Sequence, residues 1–271
     1  MGGASAAWYL LTILLTALAL TAALGGLLID GVYTGAASTA TMFRGYDLVT
    51  AIVTVPSLAV TSWLARRGSL LGQLLAASLV ANLVYTYAYY LFGTGFNDLF
   101  LLHVAVFGVG LTALVLTITS IDMAALAVRF ADATRVRTIA GILGMLALGL
   151  VAMWTYFAID NVVTGEVPPG SQLVETDTIV RLAMALDLTL LVPLYAGAVV
   201  LSWRRAPSGF VLAAIALFAG VLQQASYIVA MQFQVAADVA GARSYDPGEP
   251  AIVLLYVVAA ALLLRRLGRS P

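Results

Sequence analysis

The chain has 271 residues, of which 62% are hydrophobic and only 10% are charged, and its formal net charge is zero. So few charges cannot cover a water-exposed surface, which predicts an integral membrane protein whose first partner is the lipid bilayer. Cysteine and lysine are absent, and His103 is the single histidine. This composition excludes disulfides, iron–sulfur clusters and a retinal Schiff base, and it disfavours multi-histidine zinc or haem sites. It also gives no support to nucleic-acid binding, and no cofactor can be named.

Apolar segments long enough to cross a bilayer recur along the whole chain, since a spanning helix needs about 20 such residues. The first segment lacks a preceding basic residue and is longer than the core of a signal peptide, so we interpret it as a retained helix. We therefore predict an all-α fold with about eight transmembrane helices, at 7–29, 47–65, 70–92, 98–121, 138–159, 182–203, 209–236 and 250–265.

Arginine residues follow every second apolar segment, whereas acidic residues fill the alternate connections. Basic residues in short loops mark the cytoplasmic side. The pattern predicts that both termini are cytoplasmic and that the protein is a multi-pass protein of the plasma membrane. The arginines that define it are Arg66, Arg67, Arg129, Arg135, Arg137, Arg204, Arg205, Arg265, Arg266 and Arg269.

The polar stretch 122–137 divides the chain into two predicted membrane halves, 1–121 and 138–271, joined by a cytoplasmic linker that begins as an extension of the fourth helix. Both halves contain the pattern I-D-x-V-x-T-G, at 29–35 and 159–165. In the following helix of each half, an arginine precedes a proline by twelve residues. Four spans return the chain to the same side, so a duplication would give parallel repeats. Chance resemblance between membrane helices is the alternative.

Two aspartates in the predicted spans are the sharpest candidates for a functional site. Asp187 and Asp47 each precede a tryptophan by sixteen residues, which places both in the external half of the membrane. A central aspartate costs about 2.5–3.5 kcal/mol on insertion scales, so such a residue must face the bundle and meet a partner. The simpler alternative is that Arg44, Arg181 or a tyrosine only ties each carboxylate for packing.

The third predicted helix carries a polar stripe that continues toward the external side. Ser78, Asn82, Tyr85 and Tyr89 are three or four residues apart and therefore share one helix face. Polar side chains commonly join membrane helices by hydrogen bonds. Tyrosine rings with inward hydroxyl groups would also suit an amphipathic or cationic ligand.

Further polar residues occur at a similar depth and predict a cavity open to the outside. The lone imidazole could either pack or exchange protons with an aspartate. The predicted ligand-binding residues are Asp187, Asp47, Tyr85, Asn82, Tyr89, His103, Gln223, Gln224, Tyr227 and Tyr156.

These observations favour a protein that binds or transports a small molecule or ion at an external, aromatic-lined site, where a lipid ligand is also compatible. One alternative is a membrane-embedded enzyme that uses Asp187 and His103 as acid and base. Another is a non-catalytic accessory subunit that binds a partner protein and whose polar residues only join helices.

Overall fold

The computed structural model describes residues 6–130, 136–168 and 170–267, and every regular element in these ranges is a helix. Seven of the helices are long and apolar enough to cross a membrane, which confirms the predicted polytopic all-α fold. We number these spans in chain order: Ala7–Leu28, Ala37–Arg66, Leu70–Phe92, Phe100–Ser120, Val136–Thr164, Asp177–Trp203 and Pro207–Ala236. We call external the side that the arginine pattern predicts to be outside.

The eighth predicted span forms a helix, Glu249–Leu267, that packs against the seventh and fifth spans. It has 19 residues and is not among the seven candidates. Its apolar stretch runs from Pro250 to Leu264, between Glu249 and Arg265. The eighth crossing, and with it the cytoplasmic position of both termini, therefore stays a prediction.

The second span begins at Ala37, ten residues earlier than predicted. The added segment contains Ser38, Thr39 and Arg44 and is too polar to be recognised from its hydropathy. It is helical because it packs along the seventh span, where Gly45 lies directly against the backbone of Ala230. The sixth span likewise begins at Asp177 rather than at 182.

The second and sixth spans are each interrupted by one wide π-helical turn, at Thr50–Thr54 and Asp187–Leu191. A proline follows each turn, Pro56 and Pro193. Proline lacks an N–H group and its ring clashes with the carbonyl four residues earlier, so a regular α-helical turn cannot form there. In each span the N–H group of the preceding valine bonds five residues back instead, to the carbonyl of Thr50 or Asp187.

The predicted linker contains a separate short helix, Met123–Phe130, and not an extension of the fourth span. The fourth span ends at Ser120, and Ile121 is extended. Asp122 then begins the new helix, because its Oδ1 accepts the N–H groups of Ala124 and Ala125 at 3.0 and 2.9 Å. Arg135 and Arg269 lie outside the described residues.

The third span stands in the middle of the bundle and organises its packing. It contacts the second, fourth, sixth and seventh spans. Its external part is lined by tyrosines, and its cytoplasmic part packs through Leu74 and Ala77 into a second apolar cluster with the fifth, sixth and seventh spans. Side chains on opposite faces of this one helix can therefore reach two different neighbours.

Candidate functional site

Asp47 lies in the bundle interior and is 1% exposed. Tyr33, from the loop between the first two spans, donates its hydroxyl to Oδ2 at 2.6 Å, and Tyr90 of the third span donates to Oδ1 at 2.8 Å. Gly26 of the first span makes room for this arrangement, since a Cβ atom there would overlap both Asp47 Oδ2 and the Tyr33 hydroxyl. Burial, reinforced by the Asp47 charge, raises the pKa of Tyr33, so its hydroxyl stays protonated and able to donate.

His103 belongs to this Asp47 site. Its imidazole is fully buried, and its centroid lies 4.9 Å from the Tyr90 ring, 5.7 Å from Tyr87 and 6.3 Å from Tyr33. Neither ring nitrogen has a hydrogen-bond partner among the described residues. Buried polar atoms are rarely left in this state, so the imidazole keeps one unused hydrogen-bond donor and one unused acceptor.

Asp187 forms a second site on the opposite side of the third span. Tyr85 donates its hydroxyl to Oδ1 at 2.5 Å, and the Trp154 indole of the fifth span donates to Oδ2 at 2.8 Å. The Tyr89 hydroxyl lies 3.3 Å from that of Tyr85. Tyr85 and Tyr89 of the predicted stripe thus lie at this carboxyl group, whereas Ser78 bonds the carbonyl of Leu74 in its own helix. Tyr87 and Tyr90, on another face of the same helix, approach the Asp47 site.

Both carboxyl groups lie at the same position in their spans, ten residues after the first helical residue. That separation corresponds to about 15 Å along a helix. Because the second span begins earlier than expected, Asp47 is an interior residue and not a terminal one. That the two halves present a carboxylate at similar depth in the membrane stays a prediction.

Neither nearby arginine forms a direct ion pair with these carboxyl groups, although the Arg44 charge acts on Asp47 from a distance. Arg44 donates to the carbonyl of Leu27 at 2.8 Å and lies 3.6 Å from Asp30. Arg181 pairs with Asp177 at 2.7 Å, one turn earlier in its own helix. Each buried aspartate is therefore held by neutral aromatic donors in the described part of the chain.

Gln223 and Gln224 of the seventh span lie slightly nearer its external end than its other end. The Gln224 side chain donates to Glu249 at 3.3 Å, whereas Gln223 Oε1 is buried without a hydrogen-bond partner among the described residues. Tyr227 accepts the N–H group of Gln172 at 3.1 Å and donates to Asp246 at 2.8 Å. Gln224 and Tyr227 thus contact the C-terminal helix and the external loops, whereas Gln223 interacts with Tyr46 of the second span.

The Gln234 side chain hydrogen-bonds the loop between the fifth and sixth spans to the bundle. Its amide accepts the N–H group of Val174 and donates to the Val174 carbonyl, both at 2.9 Å, and it also donates to the carbonyl of Ser38 at 2.9 Å. Leu173 is buried beside it. The predicted cavity open to the outside is not seen at the carboxyl groups, which are buried and hydrogen-bonded beneath a packed external layer.

Glu175 is the titratable group of this loop that burial affects most clearly. Its Oε2 accepts the Ser171 hydroxyl at 2.9 Å. Burial is the largest cause of a pKa of about 7 for Glu175; the Ser171 hydrogen bond opposes this rise and the Asp187 charge adds to it. The loop therefore changes charge near neutral pH.

Two predicted site residues have other surroundings. Tyr156 is 64% exposed on the outer surface of the bundle. Trp154, two residues earlier and hence on nearly the opposite helix face, is the residue that reaches Asp187. Asn82 is buried, with its Nδ2 unpaired among the described residues.

The two residues of the enzyme alternative belong to different sites. Asp187 bonds Tyr85 and Trp154, whereas His103 lies among the rings near Asp47. What the geometry does provide is two buried acids, each bonded through both oxygens to neutral donors. No protein-family model, curated protein or solved structure matches this chain.

Proposed function

We propose that this protein is a membrane carrier for a small solute and that it couples solute movement to proton binding at Asp47 and Asp187. The observation that carries the proposal is the shared construction of the two sites. Each acid is buried on an interrupted helix, at the same distance from the external helix end, with neutral donors in place of a cation.

The cost of burying a charged acid supports the proposal. An ionised carboxylate inside a membrane protein is costly unless a cation or a proton neutralises it. Arg44 and Arg181 form their direct contacts with other groups, and Arg44 acts on Asp47 only from a distance. Each oxygen of the two acids accepts one hydrogen bond and keeps a further lone pair, which a proton can occupy. A proton is the ligand that needs no additional space.

The tyrosine hydroxyl groups that donate to the acids also support the proposal. A tyrosine hydroxyl can donate to a carboxylate and can also accept from a protonated acid. The Asp47 site has two such hydroxyls and the unpaired His103 imidazole close to them. These groups can exchange a proton among themselves without a charged partner.

The π-helical turns of the second and sixth spans also support the proposal. Discontinuous helices at corresponding positions of two halves are the usual location of transporter binding sites, because one half can rock against the other. Asp187 begins such an interruption, and Asp47 lies three residues before the other. Parallel repeats of four helices, with both termini in the cytoplasm of a plasma-membrane protein, are part of this proposal.

The test uses proteoliposomes that enclose a pH-sensitive dye and carry an imposed membrane potential. Proton entry is recorded before and after addition of carboxylates, amines, sugars, inorganic phosphate or sulfate. At least one class should accelerate proton entry, and Asp47→Asn and Asp187→Asn should each abolish the acceleration.

The matched control is Asp160→Asn, which removes an acid at the external end of the fifth span that contacts neither site. It should retain the wild-type response. A response that survives in both Asp47→Asn and Asp187→Asn would contradict the proposed coupling. So would an absence of any solute-driven proton entry in protein that is folded by its melting curve.

A further inference from the structure

A short external segment, residues 171–176, packs against the bundle beside the Asp187 site. It follows the fifth span and leads directly into the sixth span, which begins at Asp177. We call this segment the strap. Its Leu173 side chain is 6% exposed and belongs to the apolar cluster that contains Tyr89 and Trp154 of the Asp187 site. The strap is therefore part of the packed layer between this site and the external side.

The strap is held in place by a few hydrogen bonds and contains no helix. The Gln234 amide bonds both the N–H group and the carbonyl of Val174 at 2.9 Å. The Tyr227 hydroxyl accepts the N–H group of Gln172 at 3.1 Å, and Arg243 donates to the Gln172 side chain at 2.9 Å. These partners all belong to the seventh span or to the loop after it. The strap can thus be released as a unit while every helix stays folded.

The Glu175 carboxyl group connects the strap electrostatically to the bundle. Its Oε2 accepts the Ser171 hydroxyl at 2.9 Å within the strap. The titratable groups that interact with it from the packed spans are Asp187 of the sixth, Tyr46 of the second and Tyr89 of the third. Each of these three groups is neutral or negative, so none of them stabilises a negative charge on Glu175.

Ionisation of Glu175 shifts the balance between a closed and an open strap. A buried carboxylate without a cation is costly, whereas an open strap places the same charge in water. The pKa of Glu175 is about 7 in the closed structure against 4.5 when unperturbed. The closed strap therefore holds the proton more tightly, and the open strap releases it to the external water.

We propose that the strap is the external gate of the carrier, closed while Glu175 is protonated and opened when Glu175 ionises. This inference rests on the carrier function proposed above and adds the element that controls external access to Asp187. Closure on protonation means that a site loaded from the external side is sealed on that side, as alternating access requires.

Hydrogen exchange measures the opening of the strap without reference to transport. Mass spectrometry of the full-length protein in detergent gives the protection factor of the peptide that covers the strap, corrected for the intrinsic effect of pH on exchange. Protection should fall by about tenfold or more from about pH 5 to about pH 8, because the closed and open forms differ in proton affinity. Glu175→Gln should keep its protection across this range. Glu166→Gln, which removes an exposed acid from the same loop, should behave like wild type.

A second pair of variants tests the hydrogen bonds that hold the strap. Gln234→Leu removes both bonds to Val174 and should lower the protection at either pH. Gln232→Leu is the matched control on the same helix, since its side chain bonds the Ser244 carbonyl in the next loop at 2.8 Å. Equal strap protection of wild type at both pH values, or a wild-type fall in Glu175→Gln, would overturn the gate.

A cross-link tests whether the strap must move during transport. Gln172→Cys and Arg243→Cys replace side chains whose polar atoms lie 2.9 Å apart, in a chain that has no cysteine of its own. Joining them with a short bifunctional maleimide should abolish solute-driven proton entry, whereas each single variant treated alike should retain it. Undiminished proton entry in the cross-linked protein would overturn the gate and leave the carrier proposal standing. Absent proton entry in wild type would contradict the carrier, and with it the gate, even if the strap opens with pH.

Discussion

Aromatic side chains donate hydrogen bonds to each buried acid. Removing a donor should destabilise the folded protein, because a buried carboxyl oxygen is left unpaired. Tyr85→Phe leaves Asp187 Oδ1 without its partner, and a buried unsatisfied acceptor costs about 1–3 kcal/mol. We expect a lower midpoint of thermal unfolding in detergent, with Trp154→Phe giving a similar decrease. Tyr156→Phe, on the exposed face of the fifth span, should melt like wild type. Equal melting of all three variants would contradict the hydrogen bonds described.

Glu175 gives the external loop a dependence on pH whose sign follows from its burial. Its pKa is about 7 in the folded protein against 4.5 when unperturbed. The folded state therefore holds this proton more tightly, so the stabilising contribution is complete below about pH 4.5 and is lost as pH rises toward 7. The melting temperature should fall across this window in wild type and fall less in Glu175→Gln.

Glu166→Gln removes an exposed carboxylate from the same loop and should retain the wild-type slope. A wild-type slope in Glu175→Gln would show that another group titrates in this window.

The sequence indicates the two aspartates and one of their donors, Tyr85, but not the donors Trp154 and Tyr33. Asp47, Asp187 and the Tyr85 stripe follow from the cost of buried charge and from helical spacing. Trp154 and Tyr33 lie in an otherwise apolar helix and in a loop, and tryptophan or tyrosine near a membrane surface is ordinary. Only tertiary packing directs their polar atoms to an acid more than ten residues away.

The π-helical turn before Pro193 interrupts the sixth span. Pro193→Ala would restore an N–H group able to bond the carbonyl of Thr189 and close the π-helical turn. An interior proline costs about 3 kcal/mol relative to alanine, so the variant should melt at the same or a higher temperature. If the interruption serves transport, solute-driven proton entry should decrease.

Pro207→Ala is the matched control, because that proline begins the seventh span, where it is favoured. It should leave proton entry unchanged. Wild-type proton entry in Pro193→Ala would indicate that the interruption shapes the bundle without serving movement.

Close contact between the second and seventh spans depends on one glycine. A Cβ atom at Gly45 would lie 2.6 Å from Ala230 Cα and 2.9 Å from its nitrogen, so Gly45→Ala must separate the helices and lower the melting temperature. Gly149→Ala meets nothing within 4 Å and should be neutral or stabilising by up to about 1 kcal/mol. A neutral Gly45→Ala would contradict this packing.

Element positions were predictable where hydropathy decides them and not where packing does. The third span matches its prediction at both ends because water-facing turns bound it. The second span exceeds its prediction by ten residues because the seventh span shelters Ser38 and Thr39. The many glycines could not be ranked from the sequence, since only a neighbour's backbone distinguishes Gly45 from Gly149.

The orientation of the whole molecule in the membrane and the number of its crossings can be tested by labelling. Because the chain lacks cysteine, single substitutions can be labelled without altering a background. With a membrane-impermeant maleimide on intact cells, Ser244→Cys should react, whereas Ser208→Cys and a cysteine added after Pro271 should react only after lysis. Reaction of the added cysteine on intact cells would exclude the eighth crossing.

The central claim is that Asp47 and Asp187 are exchangeable proton carriers inside a closed bundle. The most direct measurement is infrared difference spectroscopy of the purified protein during a pH titration, in wild type, Asp47→Asn and Asp187→Asn. The account predicts two carboxyl C=O bands that appear as pH falls, one missing from each variant. Two aspartates that stay ionised throughout the pH range in which the protein is folded would contradict it.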